Sequence, residues 1–218
     1  MMEVKFMNKR KQKENGNVIL KHIKNNLKEY VSVIIIFLIG IVLGVILLNN
    51  SNDVQKQELN TYVNDFVTQL NSGVSIDKFQ LLKNVLINNL IIVIGLWFIG
   101  STVIGIPIVY AIVAYKGFCL SYSMSTILAV LGGSKGICFV LAAILPQNII
   151  YIPCILALAV SGIKLYKSIM KDRRIDNIKL EIFRHIFFSL FIGILFIIGS
   201  IIETYISSNI IIHISQYL

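Results

Sequence analysis

Eighteen consecutive uncharged residues, VSVIIIFLIGIVLGVILL at 31–48, constrain this chain more than any other feature. At 1.5 Å per residue, a helix of that length roughly matches the 30 Å hydrocarbon core of a bilayer. Further apolar stretches occupy 85–115, 117–131, 136–166 and 183–202. With 56% hydrophobic and 14% charged residues, too little polar material remains to cover a soluble domain. The expected fold class is all-α: a polytopic integral membrane protein of about five transmembrane helices, one of them broken.

The formal charge of +9 raises the question of nucleic acid, and the distribution of the charge answers it. Fifteen of the twenty Lys and Arg residues fall in two blocks, eight within 1–30 and seven within 164–184. Blocks flanking apolar runs set orientation by the positive-inside rule, and that reading is preferred here to a nucleic-acid or specific anionic-lipid site. Five spans with the N-terminus in and the C-terminus out put both blocks, and Lys116 at the expected inner end of the second span, in the cytoplasm.

This divides the chain into a basic cytoplasmic segment at 1–30, a transmembrane anchor at 31–48 and an extracytoplasmic segment at 49–84. A four-span core follows at 85–205, with its basic loop at about 164–184, and then a tail at 206–218. The opening thirty residues are too long and too charged for the start of a cleaved signal peptide, so the first apolar run is read as a retained anchor. Within that run Gly40 and Gly44 form a G-x-x-x-G on one helical face, suited to close helix approach, though glycine is also simply common in membrane helices. In the outer segment Leu59, Tyr62, Val63, Phe66, Val67 and Leu70 recur at three- and four-residue steps, predicting an amphipathic helix over 54–71. Its apolar stripe has three possible supports: the bilayer surface, the chain's own spans, or a partner protein. Three lysines (Lys56, Lys78, Lys83) against four acids (Asp53, Glu58, Asp65, Asp77) give this segment a net charge of −1, unlike the basic blocks.

Catalytic chemistry has little to stand on. Cys119, Cys138 and Cys154 fall in apolar runs without a C-x-x-C spacing, and His22, His185 and His213 are scattered. Every aspartate lies in an expected loop, so no carboxylate pair is placed at span depth. No catalytic residue, metal or cofactor is assigned.

The stretch LPQNIIYIP at 145–153 sets two prolines, a glutamine and an asparagine inside the apolar run 136–166. If that run is one helix, Pro146 and Pro153 free the carbonyls of Ala142 and Ile149, which must find donors in lipid. Gln147 and Asn148 carry amides able to supply them. Two functional readings follow: a kink that packs spans together or presents a surface, and a transport pathway at a broken helix lined by Gln147, Asn148, Ser121, Ser125 and Glu203.

The sequences GFCLSYSMSTIL at 117–128 and KGICFVLAAILPQNIIYIP at 135–153, followed by a lysine-rich stretch, resemble stage II sporulation protein M of endospore-forming bacteria. The motif residues are Leu145, Pro146, Gln147, Asn148, Tyr151 and Pro153, and the order of basic start, anchor, outer segment and four further spans is similar to that family. The resemblance implies a non-enzymatic subunit of forespore engulfment, in the mother-cell membrane at the sporulation septum. It also implies two partners, stage II sporulation proteins D and P, which remodel septal peptidoglycan. The partner-binding or structural candidates are therefore the motif residues, the outer-helix residues Leu59, Tyr62 and Phe66, and Gly40 and Gly44. Self-association is left open; the bilayer is the remaining partner, and nucleic acid is not one.

Overall fold

The computed structural model describes residues 26–72, 77–100, 102, 105–171 and 175–215. The basic residues at 5–24, Arg173, Arg174 and the last three residues of the tail lie outside them. Helices make up nearly all of the described chain: α1 Leu27–Asn49, α2 Asp53–Asn71, α3 Lys78–Gly100, α4 Gly105–Leu131, α5 Gly133–Ala143, α6 Leu145–Lys171 and α7 Ile175–Ile201. A π-helical segment Ile202–Ser207 then leads into α8 Ser208–Ser215. Five stretches are long and apolar enough to cross a membrane: Leu27–Asn49, Lys78–Gly100, Gly105–Leu131, Leu145–Met170 and Ile178–Ser215. The protein is multi-pass.

The spans are five, as the sequence suggests, but their boundaries differ. The expected long second span is two helices, because the chain turns between Gly100 and Gly105. Thr102 closes that turn: its N–H and hydroxyl both donate to the Ile99 carbonyl, and its own carbonyl accepts from the Gly105 N–H at 3.0 Å. A β-carbon at Gly105 would collide with the Ile99 carbonyl oxygen, so only glycine fits. Pro107 therefore stands in the first turn of α4, where its missing N–H costs nothing. α4 then absorbs the separate span expected at 117–131. Lys116 consequently lies in the middle of α4, not at a cytoplasmic end, and Asn89 lies midway along α3.

The expected broken helix at 136–166 is likewise two helices. α5 stops at Ala143, and α6 starts at Leu145 with Pro146 as its second residue. Pro146 initiates a helix and frees no mid-helix carbonyl; Pro153 alone sits inside α6. Beyond 201 the backbone does not end as a span followed by a loose tail. It widens into the π segment and continues as α8.

α6 is the central helix, with Leu158, Ala159, Val160 and Ile163 excluded from the surface and contacts to α1, α3, α4 and α7. Lipid tails are as apolar as leucine, so close packing of small residues has to hold such helices together. α1 and α4 form the most extensive pair. Gly40 lies against the Ala114 carbonyl, Gly44 against Ser121 and Phe118, and Gly117 against the Phe37 carbonyl. Ser32 and Tyr110 add a hydroxyl pair at 3.0 Å. α3 and α6 meet at Gly100 and Gly162, where a β-carbon on either would come 3.0 Å from the other's Cα.

Chain direction alternates, so α2, α5 and α8 gather at one end of the bundle. α2 begins beyond an Asn52 N–H donated to Gln55 Oε1 at 3.1 Å, a local cap that starts the helix after the exit from α1. Of the three possible supports for its apolar stripe, the chain's own helices take one side of it: α2 contacts α4 and α8, Val63 is 6% exposed, and Phe66 meets Phe139 of α5 edge-on at 6.5 Å, while Tyr62 stays exposed. Asn71 Nδ2 donates to the Ser215 carbonyl at 3.0 Å, and Lys78 Nζ to Asn209 Oδ1 at 2.8 Å. The opposite end is tied by ion pairs between helices, Lys167 of α6 with Glu29 of α1 at 2.7 Å and Lys164 of α6 with Glu181 of α7 at 3.9 Å.

Candidate functional site

The first turn of α6 places the 145–148 motif directly beneath this three-helix layer. Gln147 Nε2 donates to the Ala143 carbonyl at 2.5 Å and Asn148 Nδ2 to the Ile144 carbonyl at 2.7 Å. These carbonyls belong to the end of α5 and the break itself, so the two amides join the helices across the interruption. Gln147 Oε1 also accepts from the Ser207 hydroxyl at 2.9 Å, which connects the motif to the π segment.

One turn deeper, Tyr151 is the hub of a buried polar cluster drawn from three helices. Asn89 Nδ2 donates to Tyr151 Oη at 2.8 Å and to Ser200 Oγ at 3.2 Å. Ser200 commits its proton to the Phe196 carbonyl at 2.9 Å and so acts as the acceptor from Asn89. Tyr151 in turn donates to Glu203 Oε2 at 2.9 Å. The phenol ring is fixed by stacking on Phe196, centroids 5.0 Å apart and planes 23° apart, and by Gly199 behind it. A β-carbon at Gly199 would stand 2.5 Å from Tyr151 Cε1. Gly199→Ala is expected to displace the ring and lower stability by about 1–3 kcal/mol, read as a lower melting temperature in detergent.

Glu203 lies on the π segment. Inserting one residue per turn shifts the register of side chains on either side, and such segments recur at functional sites. Here the shift lets Glu203 face Tyr151 while Ser207 meets Gln147. Lys116 of α4 is within electrostatic reach of Glu203, yet forms no ion pair with it within 4.0 Å among the described residues. Glu203, Gln147 and Ser207 border a cavity of about 400 Å³ roofed by Phe66 and Leu70 of α2 and walled by Ile211 of α8.

The sequence-derived candidates divide accordingly. Gln147 and Phe66 meet at the cavity, and Tyr151 reaches it through Glu203. Leu145, Pro146 and Asn148 build the α5–α6 junction, and Pro153 sits within α6. Leu59 lines a separate small cavity with Lys56 and Thr126, and Tyr62 is 73% exposed on the outer side of α2. Gly40 and Gly44 lie at the α1–α4 contact, where Ser121 also sits, its hydroxyl donated to the Phe118 carbonyl at 3.1 Å. Asn89, Ser200 and Ser207 are not among the candidates that the sequence singles out. Each is a polar residue inside an apolar run, a signal present in the sequence, but only the packing shows which of many such residues converge.

Among the described residues no group of three His, Cys, Asp or Glu side chains is placed to hold a metal ion, and the three cysteines are free thiols. No curated protein and no solved structure matches the chain. The family described as stage II sporulation protein M matches residues 33–208, a stretch that reaches all five candidate spans and contains Asn89, Gln147, Tyr151, Ser200 and Glu203. By that match the chain belongs to the stage II sporulation protein M family, and is a sporulation-related multi-pass membrane protein.

Proposed function

We propose that this chain is a non-enzymatic membrane platform of forespore engulfment. It holds peptidoglycan-remodelling enzymes, stage II sporulation proteins D and P, at the septum and the engulfing mother-cell membrane. The end of the bundle that carries Glu29 and Lys167 faces the cytoplasm in this reading, supported by the fifteen basic residues of the two sequence blocks, and α2 faces the wall.

One observation carries the platform reading beyond family membership. The inner side of α2 is occupied by the chain's own helices, while its outer side leaves Val54 67% and Tyr62 73% exposed. Both residues stand on a polar helix outside the candidate spans. An exposed tyrosine on a rigid helix is a suitable anchor for a protein partner.

The test is detergent co-purification of the tagged protein from sporulating cells, with vegetative cells as control. Tyr62→Ala combined with Val54→Ser is expected to reduce recovery of wall enzymes at least tenfold while the melting temperature stays within about 2 °C, as for a surface change. Unchanged recovery from the doubly substituted protein, or a lone protein with wall enzymes still correctly placed in its absence, would overturn the reading.

A second reading, a transporter or channel subunit with its pathway at 145–153, is favoured by the Glu203- and Gln147-bordered cavity beside the α5–α6 break. It requires that Gln147 or Asn148 substitutions abolish transport with assembly intact.

A further inference from the structure

We propose that the cavity beneath α2 binds the ammonium head of a primary amine that carries a short apolar body. The inference stands whichever reading of the protein's role holds, because it rests on the cavity's own chemistry.

The buried wall is biased toward hydrogen-bond acceptors. Ser207 commits its proton to Gln147 Oε1, and Ser208 commits its proton to the Thr204 carbonyl, so both hydroxyls keep only lone pairs for a ligand. Gln147 has one N–H in the Ala143 bond, leaving a single amide N–H over. Glu203 brings a carboxylate whose Oε2 takes the Tyr151 proton and whose Oε1 has no hydrogen bond among the described residues. Three acceptors lining one cavity, one of them a carboxylate, match the three N–H donors of an ammonium group. They do not suit an anion, and a neutral alcohol has a single proton to offer.

Charge points the same way. A carboxylate in an apolar setting needs a paired cation or a proton. Lys116 supplies only a distant field, since it closes no ion pair with Glu203 within 4.0 Å. Of the remaining walls, Gln69 of α2 adds one polar side chain, while Phe66, Leu70, Leu81, Ala143 and Ile211 are apolar, and about 400 Å³ leaves room for several carbons behind the head. Two sources provide this chemistry: a soluble amine, or the ethanolamine head of a phospholipid entering from the surrounding leaflet.

The test uses the full chain in nanodiscs of phosphatidylglycerol, with unfolding followed by circular dichroism while n-butylamine, n-butanol or butyrate is added. Butylamine is expected to raise the unfolding midpoint by roughly 5 °C near saturation, and butanol and butyrate are not. Glu203→Gln, which keeps an oxygen for Tyr151, is expected to lose the response. Ala143→Leu, which fills the cavity from α5 and leaves the carboxylate in place, is expected to lose it too, and decides the matter if the first variant does not fold. If phosphatidylethanolamine in the disc raises the midpoint and removes the effect of butylamine, the headgroup is the source; if butylamine acts unchanged beside it, a soluble amine is. Equal responses to butylamine in the native and substituted proteins, or no response to either amine source, would overturn the proposal.

Discussion

Gly40→Leu and Gly117→Leu are each expected to abolish the folded bundle, with stability lowered by about 3 kcal/mol or more. The reason lies in what each glycine touches. A β-carbon at Gly40 meets the Ala114 carbonyl oxygen, and one at Gly117 meets the Phe37 carbonyl oxygen. Both obstacles are helix backbone, which cannot rotate aside as a side chain can, so α1 and α4 must separate. Lipid supplies no hydrophobic force to press the two helices back together, so the packing given up at this separation is not restored elsewhere. Gly95→Leu and Gly193→Leu provide the control, because nothing lies within 4 Å of a β-carbon at either position. These are expected to stay within about 0.5 kcal/mol of the native protein. Size-exclusion profiles and melting temperatures in mild detergent separate the two pairs. Equal behaviour of all four variants would mean that the α1–α4 contact does not hold the bundle.

The second large effect is expected at Tyr151. Tyr151→Phe removes the hydroxyl that accepts from Asn89 and donates to Glu203, leaving a half-buried carboxyl without its donor. The expected loss is about 2–4 kcal/mol, since an unsatisfied buried group costs more than a hydrogen bond gains. Glu203→Gln keeps an acceptor in place and is expected to cost about 1 kcal/mol. Replacing both partners, Tyr151→Phe with Glu203→Leu, is expected to be less damaging than the sum of Tyr151→Phe and Glu203→Leu taken singly, with a coupling of about 1–3 kcal/mol. Strict additivity in that cycle would show that the two side chains do not act as a unit.

Much of the architecture follows from local pattern. The uncharged run at 31–48 and the three- and four-residue steps of α2 each prescribe a helix, and their boundaries in the fold lie within a few residues of those expected. Turns inside long apolar runs are less legible. Nothing in the hydropathy of 85–115 marks Gly100 to Gly105 as a reversal, because the feature that matters there is steric: the backbone at Ile99 leaves no room for a side chain at Gly105. Pro146 is readable as a disruption, but whether a proline kinks a helix or starts one depends on where the helix before it stops.

The sequence by itself determined that the chain is a helical membrane protein, that its basic residues gather at defined flanks, and that the apolar run 136–166 is interrupted beside Pro146. Those conclusions rest on residue solubility and on backbone donors, which act over a few neighbouring positions. Only the tertiary structure decided that Asn89, Tyr151, Ser200 and Glu203 share one buried cluster, that α2 rests on α4, α5 and α8, and that Lys116 lies at mid-span. Those facts depend on residues up to 144 positions apart in the chain, as for Asn71 and Ser215, meeting in one register. That register is set by where small residues let backbones approach and by a π segment that rotates Glu203 into place. Neither is written in the periodicity of any single helix.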